Sequence, residues 1–194
     1  MKYSIELTYP TSDEWITVVL NNFSSFLQDH AHCERKASSM AMSFVAKFPD
    51  RVEIIPELID TALEELEHFK DVYQIMSNQG IQLKHEMEPD EYANILISHC
   101  RSGKEDRMMD RLLLASIMEC RGSERFKLVW QALPEGELKK FYHILWATEA
   151  KHGNIYVKFA LKYFKEEDVY KRLKELTILE GEVLSKLPIR PTLH

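Results

Sequence analysis

Two short stretches of this chain share an arrangement that could do metal chemistry. EELEH at 64–68 and TEAKH at 148–152 both contain Glu-x-x-His: Glu65 with His68, and Glu149 with His152. Residues three apart lie on one face of a helix, so each pair can aim a carboxylate and an imidazole at one point. Such mixed oxygen and nitrogen donors suit iron or manganese. One Glu-x-x-His in a Glu-rich helix says little. Two, at corresponding points of two helix hairpins, describe halves of a dinuclear site. In bundles of that kind two helices give Glu-x-x-His and two others give one Glu each.

The two further glutamates follow from hairpin geometry, because facing residues lie about equally far from the turn. The first turn centres on Pro49-Asp50, which sets Glu34 opposite Glu65; the second, near Glu135, sets Glu119 opposite Glu149. The separations agree: 31 residues from Glu34 to Glu65, and 30 from Glu119 to Glu149. Glu124 is the rival to Glu119. At about 100° per residue, Glu119 shares a stripe with Met108, Leu112, Ala115, Gly122, Phe126 and Trp130. Glu124 points to a charged side with Arg121 and Lys127. Glu34 lies among Phe23, Leu27, His30, Ala37, Ala41, Val45 and Phe48. Glu149 and His152 lie among Tyr142, Leu145, Tyr156, Phe159 and Tyr163. Four carboxylates on apolar faces require a cation, since burying them unpaired is costly.

Around these six stand weaker candidates. His30, one turn before Glu34, and Tyr156, one turn after His152, are placed to support ligands from behind; an ordinary core histidine is the other reading of His30. Cys33 and Cys120 adjoin Glu34 and Glu119 but point elsewhere, as small buried apolar residues do. Gly122, one turn after Glu119, leaves room beside a metal or permits close helix packing. Arg101, Lys104, Arg107 and Arg111 form either a phosphate-binding patch or surface pairs with Glu105, Asp106 and Asp110. The stripe of Lys140, Lys151, Lys158, Lys162 and Lys165 faces away from Glu149 and reads as solvated.

These residues need long helices to position them. Thr11 and Glu14 have capping-box spacing and open a helical pattern to about Phe48, with a break near Asn21-Asn22. A second helix is expected over 51–79, with Pro56 in its first turn and Gly80 as its stop. A connector (IQLKHEMEP) and a short helix over 90–100 follow. Long helices over 104–133 and 135–164 and an amphipathic one over 166–187 complete the pattern. Two long hairpins joined by a long crossover predict an all-α, ferritin-like four-helix bundle with additional helices, residues 1–194 forming one domain.

Composition agrees. The 194 residues include only six Gly and seven Pro, and Leu, Glu, Lys, Ala and Met are good helix formers. The net charge of −6 excludes a broadly basic nucleic-acid surface, so any RNA contact must be a local patch. Three cysteines without close spacing, no signal-like apolar start and no bilayer-length apolar run predict a cytoplasmic protein without a membrane partner.

Beyond the ligand spacing, FLQDHAHCERKAS at 26–38, EELEHF at 64–69, DRLLLASIMECRGSERF at 110–126, TEAKH and the Pro-rich tail ending in His resemble the MiaE-type tRNA hydroxylases over nearly the whole chain. The chain departs from that pattern at Cys120, where a small residue is expected, and at Gly122. The resemblance implies a non-haem di-iron monooxygenase that hydroxylates the isopentenyl group of 2-methylthio-N6-isopentenyladenosine in tRNA. It implies iron ligands at Glu34, Glu65, His68, Glu119, Glu149 and His152, dioxygen as co-substrate and an external electron donor, a reductase encoded elsewhere. Glu65 and Glu149 are the expected bridges. The alternative use of the same ligands is a ferritin-like iron oxidase and store, or a peroxide-scavenging bundle. The sequence carries no expectation about oligomeric state.

Overall fold

The computed structural model describes residues 5–86 and 89–194. The first four residues of the chain, and Met87 and Glu88 of the expected connector, lie outside the described residues. Among those described there are seven helices: α1 (Asp13–Asn21), α2 (Phe23–Lys47), α3 (Ile55–Asn78), α4 (Glu91–Ser98), α5 (Lys104–Ala132), α6 (Glu137–Tyr163) and α7 (Glu166–Leu184). No strand occurs among them.

The helix boundaries follow local chemistry. The expected break falls at Asn22, whose side-chain amide donates back to the Val18 carbonyl at 2.9 Å. α3 begins at Ile55 rather than near 51, because Arg51–Ile54 turns tightly, with Ile54 N–H donating to the Arg51 carbonyl. Pro56 then sits in the first turn, where its missing N–H is not needed. Gly80 takes φ +69°, and Ile81 N–H returns to the Met76 carbonyl, closing α3 as a glycine stop does. Asp90 caps α4 by accepting from Ala93 N–H at 2.9 Å. α6 starts at Glu137, two residues later than expected, and α7 ends at Leu184, ahead of the Pro-rich tail.

The Thr11–Glu14 capping box does not form. Ser12 Oγ accepts from Glu14 N–H instead, and the Thr11 hydroxyl donates to Glu124 at 2.6 Å. A carboxylate on a packed neighbour is a stronger acceptor than anything the α1 terminus offers.

The chain forms two compact units. One holds residues 17–86 with Arg190–Leu193, and its body is the α2–α3 hairpin. Its core comprises Phe26, Leu27, Ala31, Ala41, Phe44, Leu58, Ala62, Val72 and Met76. Leu193 N–H ties the tail to Asp29 of α2 at 2.7 Å.

The other unit holds residues 89–189, the segment ending at Ile16, and His194. Here α5 packs along α6, and α7 covers α5, α6 and α4. α5 is consequently buried almost all round, from Met108 through Val129. The charged side of α5 is only partly solvated: Lys127 is exposed and Glu124 is half-buried. Arg121 is fully buried and donates to Glu180 of α7 at 2.8 and 2.9 Å, to the Tyr9 carbonyl, and to Glu124. Tyr92 of α4 donates to the same Glu180 at 2.9 Å, and the His194 ring stacks on Tyr92 at 5.4 Å. A buried charge persists only where its hydrogen bonds are met, and here Arg121 makes five, to Glu180, Tyr9, Glu124 and Thr11.

Candidate metal centre

Each unit presents one triad of ligand-type side chains. On the first hairpin, Glu34 of α2 and Glu65 and His68 of α3 bring one donor atom each within 4.8 Å of one another. His68 Nδ1 stands 3.7 Å from Glu34 and 3.8 Å from Glu65. The hairpin is pinned beside them: Ser38 Oγ, one turn beyond Glu34, donates to the Ala62 carbonyl, three residues before Glu65, at 2.8 Å. His30 Nε2–H donates to Glu34 at 2.7 Å from within the core. The candidate support for Glu34 therefore lies against its carboxylate, which fixes the side chain's rotamer.

On the second hairpin, Glu119 of α5 and Glu149 and His152 of α6 bring their donor atoms within the same 4.8 Å. His152 Nδ1 lies 3.2 Å from Glu149. Close approach of α5 and α6 sets this register. Val157 N–H donates to Ser116 Oγ at 3.0 Å on one side of the triad, and Ser123 Oγ donates to the Trp146 carbonyl at 3.2 Å on the other. Gly153 makes the contact possible, because a Cβ there would stand 2.5 Å from Cys120 Sγ. Tyr156 is buried one turn after His152 and meets Phe159 edge-on at 5.9 Å.

The side chains are secluded. Glu34, Glu65, Glu149 and His152 are 3, 1, 2 and 1 % exposed. Glu119 and His68 are partly exposed. Within each triad two carboxylates lie close together in a poorly solvated place, an arrangement that like-charge repulsion and desolvation both oppose unless a cation is shared. Four carboxylates and two imidazoles are the donors that iron takes. Neither nearby thiol joins them. Cys33 lies 3.7 Å from Asp29, and Cys120 packs on Gly153. Burial, with the Glu119 charge adding to it, pushes the Cys120 thiol up to about 12, so it stays protonated and poorly nucleophilic.

The basic candidates divide. Arg101 is committed to Asp110, with Nη2 at 2.7 Å and the backbone N–H at 2.9 Å, and to Asp106 at 2.8 Å. Lys104 and Arg107 are exposed, and Arg111 is half-buried. The lysine stripe on α6 and beyond is exposed at all five positions. Gly122 is buried, yet a Cβ added there would meet nothing within 4 Å, so close packing is not its reason. Sequence reasoning missed the Arg121–Glu180–Tyr92 cluster. Its members lie on three helices, and no spacing rule links them.

The fold is shared with a protein of known structure. A Synechococcus protein with aldehyde deformylating oxygenase activity superposes with a TM-score of 0.92 at 31% identity, over 98% of this chain and 96% of that one. The class is thereby defined: an all-α, ferritin-like oxidoreductase of the di-iron oxygenase type. Residues 2–194 match the model of the tRNA-(MS[2]IO[6]A)-hydroxylase (MiaE) family, and the chain belongs to that family. Similar proteins include the tRNA 2-(methylsulfanyl)-N(6)-isopentenyladenosine(37) hydroxylases of Pseudomonas putida KT2440 and Salmonella typhimurium LT2. The first is 33% identical, over 90% of this chain and 84% of the relative; the second is 23% identical, over 90% and 82%.

Proposed function

We propose that this chain hydroxylates the isopentenyl group of 2-methylthio-N6-isopentenyladenosine in tRNA, using two iron ions that work as a pair. The observation that carries the reading is the pair of triads, each with two glutamates and one histidine, in a member of a hydroxylase family. Glu34, Glu65 and His68 hold one iron; Glu119, Glu149 and His152 hold the other. When bound, the iron pair supplies the activation of dioxygen, with electrons from an external reductase.

The chain's own groups do the rest. His30 holds Glu34 in its ligand rotamer, as partners of metal ligands do. Phe26, Phe126, Phe159 and Tyr156 keep water from the surroundings of the triads. The space beside Gly122 receives the apolar prenyl chain one turn from Glu119. The modified base leaves the anticodon loop to reach it, since an enzyme acting on a base must extract it from its stack. Lys104 and Arg107, exposed on the first turn of α5, are open to phosphate. The 194 residues act as one functional domain. A tRNA substrate supports a cytoplasmic protein.

The test is turnover of iron-loaded protein on prenylated, methylthiolated tRNA with dioxygen and a chemical reductant. A product heavier by one oxygen atom, labelled from oxygen-18 gas, is expected. Rapid oxidation of added ferrous iron into a stored ferric core, with no change in the tRNA, would replace the hydroxylase reading with iron storage.

A further inference from the structure

On the α5–α6 hairpin, three aromatic rings form a cluster. Trp130 lies 4.5 Å from His143 at 21° and 5.1 Å from Trp146 at 9°; His143 and Trp146 are 5.8 Å apart at 28°. Lys127 Nζ stands 5.3 Å from the Trp146 ring centre. His143 and Lys127 are exposed, and both tryptophans are half-buried. The third tryptophan, Trp15, is core, at 2 % exposure. Near-parallel rings presented at a surface are costly to keep there unless something covers them.

The charge around the cluster is unusual for this molecule. Asp and Glu outnumber Lys and Arg by 31 to 25 in the whole chain, yet residues 125–133 and 138–148 contain no acid. They carry Lys127, Lys139, Lys140 and His143, and buried Arg125. Lys139 and Lys140 are held by Glu135 and Glu137 in the turn, which leaves Lys127 and His143 at the rings. Along α6 the surface continues through exposed Ala147 and Ala150, too small to obstruct a flat ligand. Trp146 precedes Glu149 by one turn.

We propose that Trp130, His143 and Trp146, with Lys127, form a stacking platform for unpaired bases of an RNA loop. The proposal rests on the tRNA reading above and identifies the surface that reading requires. Bases stack on aromatic faces whatever their identity, and a nearby ammonium attracts the phosphates. An apolar protein partner would not need a lysine and an imidazole at the rings. Loop bases held beside the turn that carries Glu149 would bring the neighbouring modified base to the metal centre.

The experiment measures binding of a fluorescein-labelled anticodon stem-loop to the iron-loaded full chain by anisotropy. Trp130→Leu, His143→Ala and Lys127→Ala are compared with Trp130→Phe. Iron content and helical circular dichroism confirm that each variant is folded. Trp130→Leu should weaken binding about tenfold, as loss of one stacking face does. Trp130→Phe should restore most of it, and KM for tRNA should rise while kcat holds. Lys127→Ala should lower the salt dependence of binding. A blunt RNA duplex without a loop should bind parent and Trp130→Leu alike.

Equal stem-loop binding by parent and Trp130→Leu would overturn the platform. Unchanged RNA binding with slowed electron delivery from a reductase would overturn it in favour of a protein contact. Hydroxylation of saturating prenylated, methylthiolated tRNA by the parent chain separates the two claims. If that reaction is absent, the hydroxylase reading fails; if it is present while Trp130 proves indifferent to RNA, only the platform fails.

Discussion

At the scale of single residues, two glycines of the α5–α6 hairpin do opposite things. A Cβ on Gly153 would collide with Cys120 Sγ at 2.5 Å, whereas one on Gly122 would meet nothing within 4 Å. Gly153→Ala should therefore destabilise the protein by about 1–3 kcal/mol, the cost of overpacking. Gly122→Ala should stabilise it by up to about 1 kcal/mol through helix propensity. Urea unfolding midpoints check both. Adding Cys120→Ala should recover most of the Gly153→Ala loss, and no recovery would mean the contact is not with the thiol. The sequence exposed Gly122 as a helix-weakening residue beside Glu119 but left its purpose open. Gly153 went unnoticed, because only the approach of α5 and α6 gives it a reason.

At the scale of elements, the long helices were legible because their apolar faces impose a period. Glu34, Glu119, Glu149 and His152 were each found on an apolar stripe, and paired distances from the turns supplied the partners. The contacts of the charged side of α5 were not legible for the same reason. A wheel separates polar from apolar, not solvent from a packed neighbour. Arg121 faces α7, not water, and a helix covering a charged face leaves no periodic signature. Burial pulls the Arg121 guanidinium down, but the hydrogen bonds and charge of Glu180 and the charge of Glu124 more than offset it, so the group is held fully protonated. Arg121→Met should cost about 3–5 kcal/mol by stranding Glu180, and Arg121→Met with Glu180→Leu should cost clearly less than the two singles summed. Additive losses in a thermal-unfolding double-mutant cycle would contradict the pairing.

Asp110, at the α4–α5 junction, makes stability depend on pH. Burial raises the Asp110 carboxyl, but hydrogen bonds from Arg101 and Arg172 outweigh it and hold the group below its ordinary 3.8. A depressed folded value means that the stabilisation is present above the unfolded value. It is lost as pH falls through the folded one. Unfolding free energy should drop as the pH is taken below 3.8, and Asp110→Asn should make that drop shallower. An identical acid limb in the variant would show that other carboxylates govern it.

At the scale of the whole molecule, the class was readable from two hairpins and a long crossover, and the family from segments spread over nearly the full length. Which surface meets RNA was not readable. The basic residues that attracted attention begin α5, and Arg101 among them is spent on Asp110 and Asp106. Trp130, His143 and Trp146 lie on two helices, and only folding brings their rings together.

The central claim is that EELEH and TEAKH each supply iron ligands. Its most direct test is iron content and optical spectrum of the purified chain after anaerobic ferrous loading, alongside Glu149→Ala. The account predicts about two irons per chain in the parent, as in dinuclear bundles, and loss of the paired-iron spectrum in the variant. A parent that takes up no iron, or a variant that keeps both ions, would contradict it.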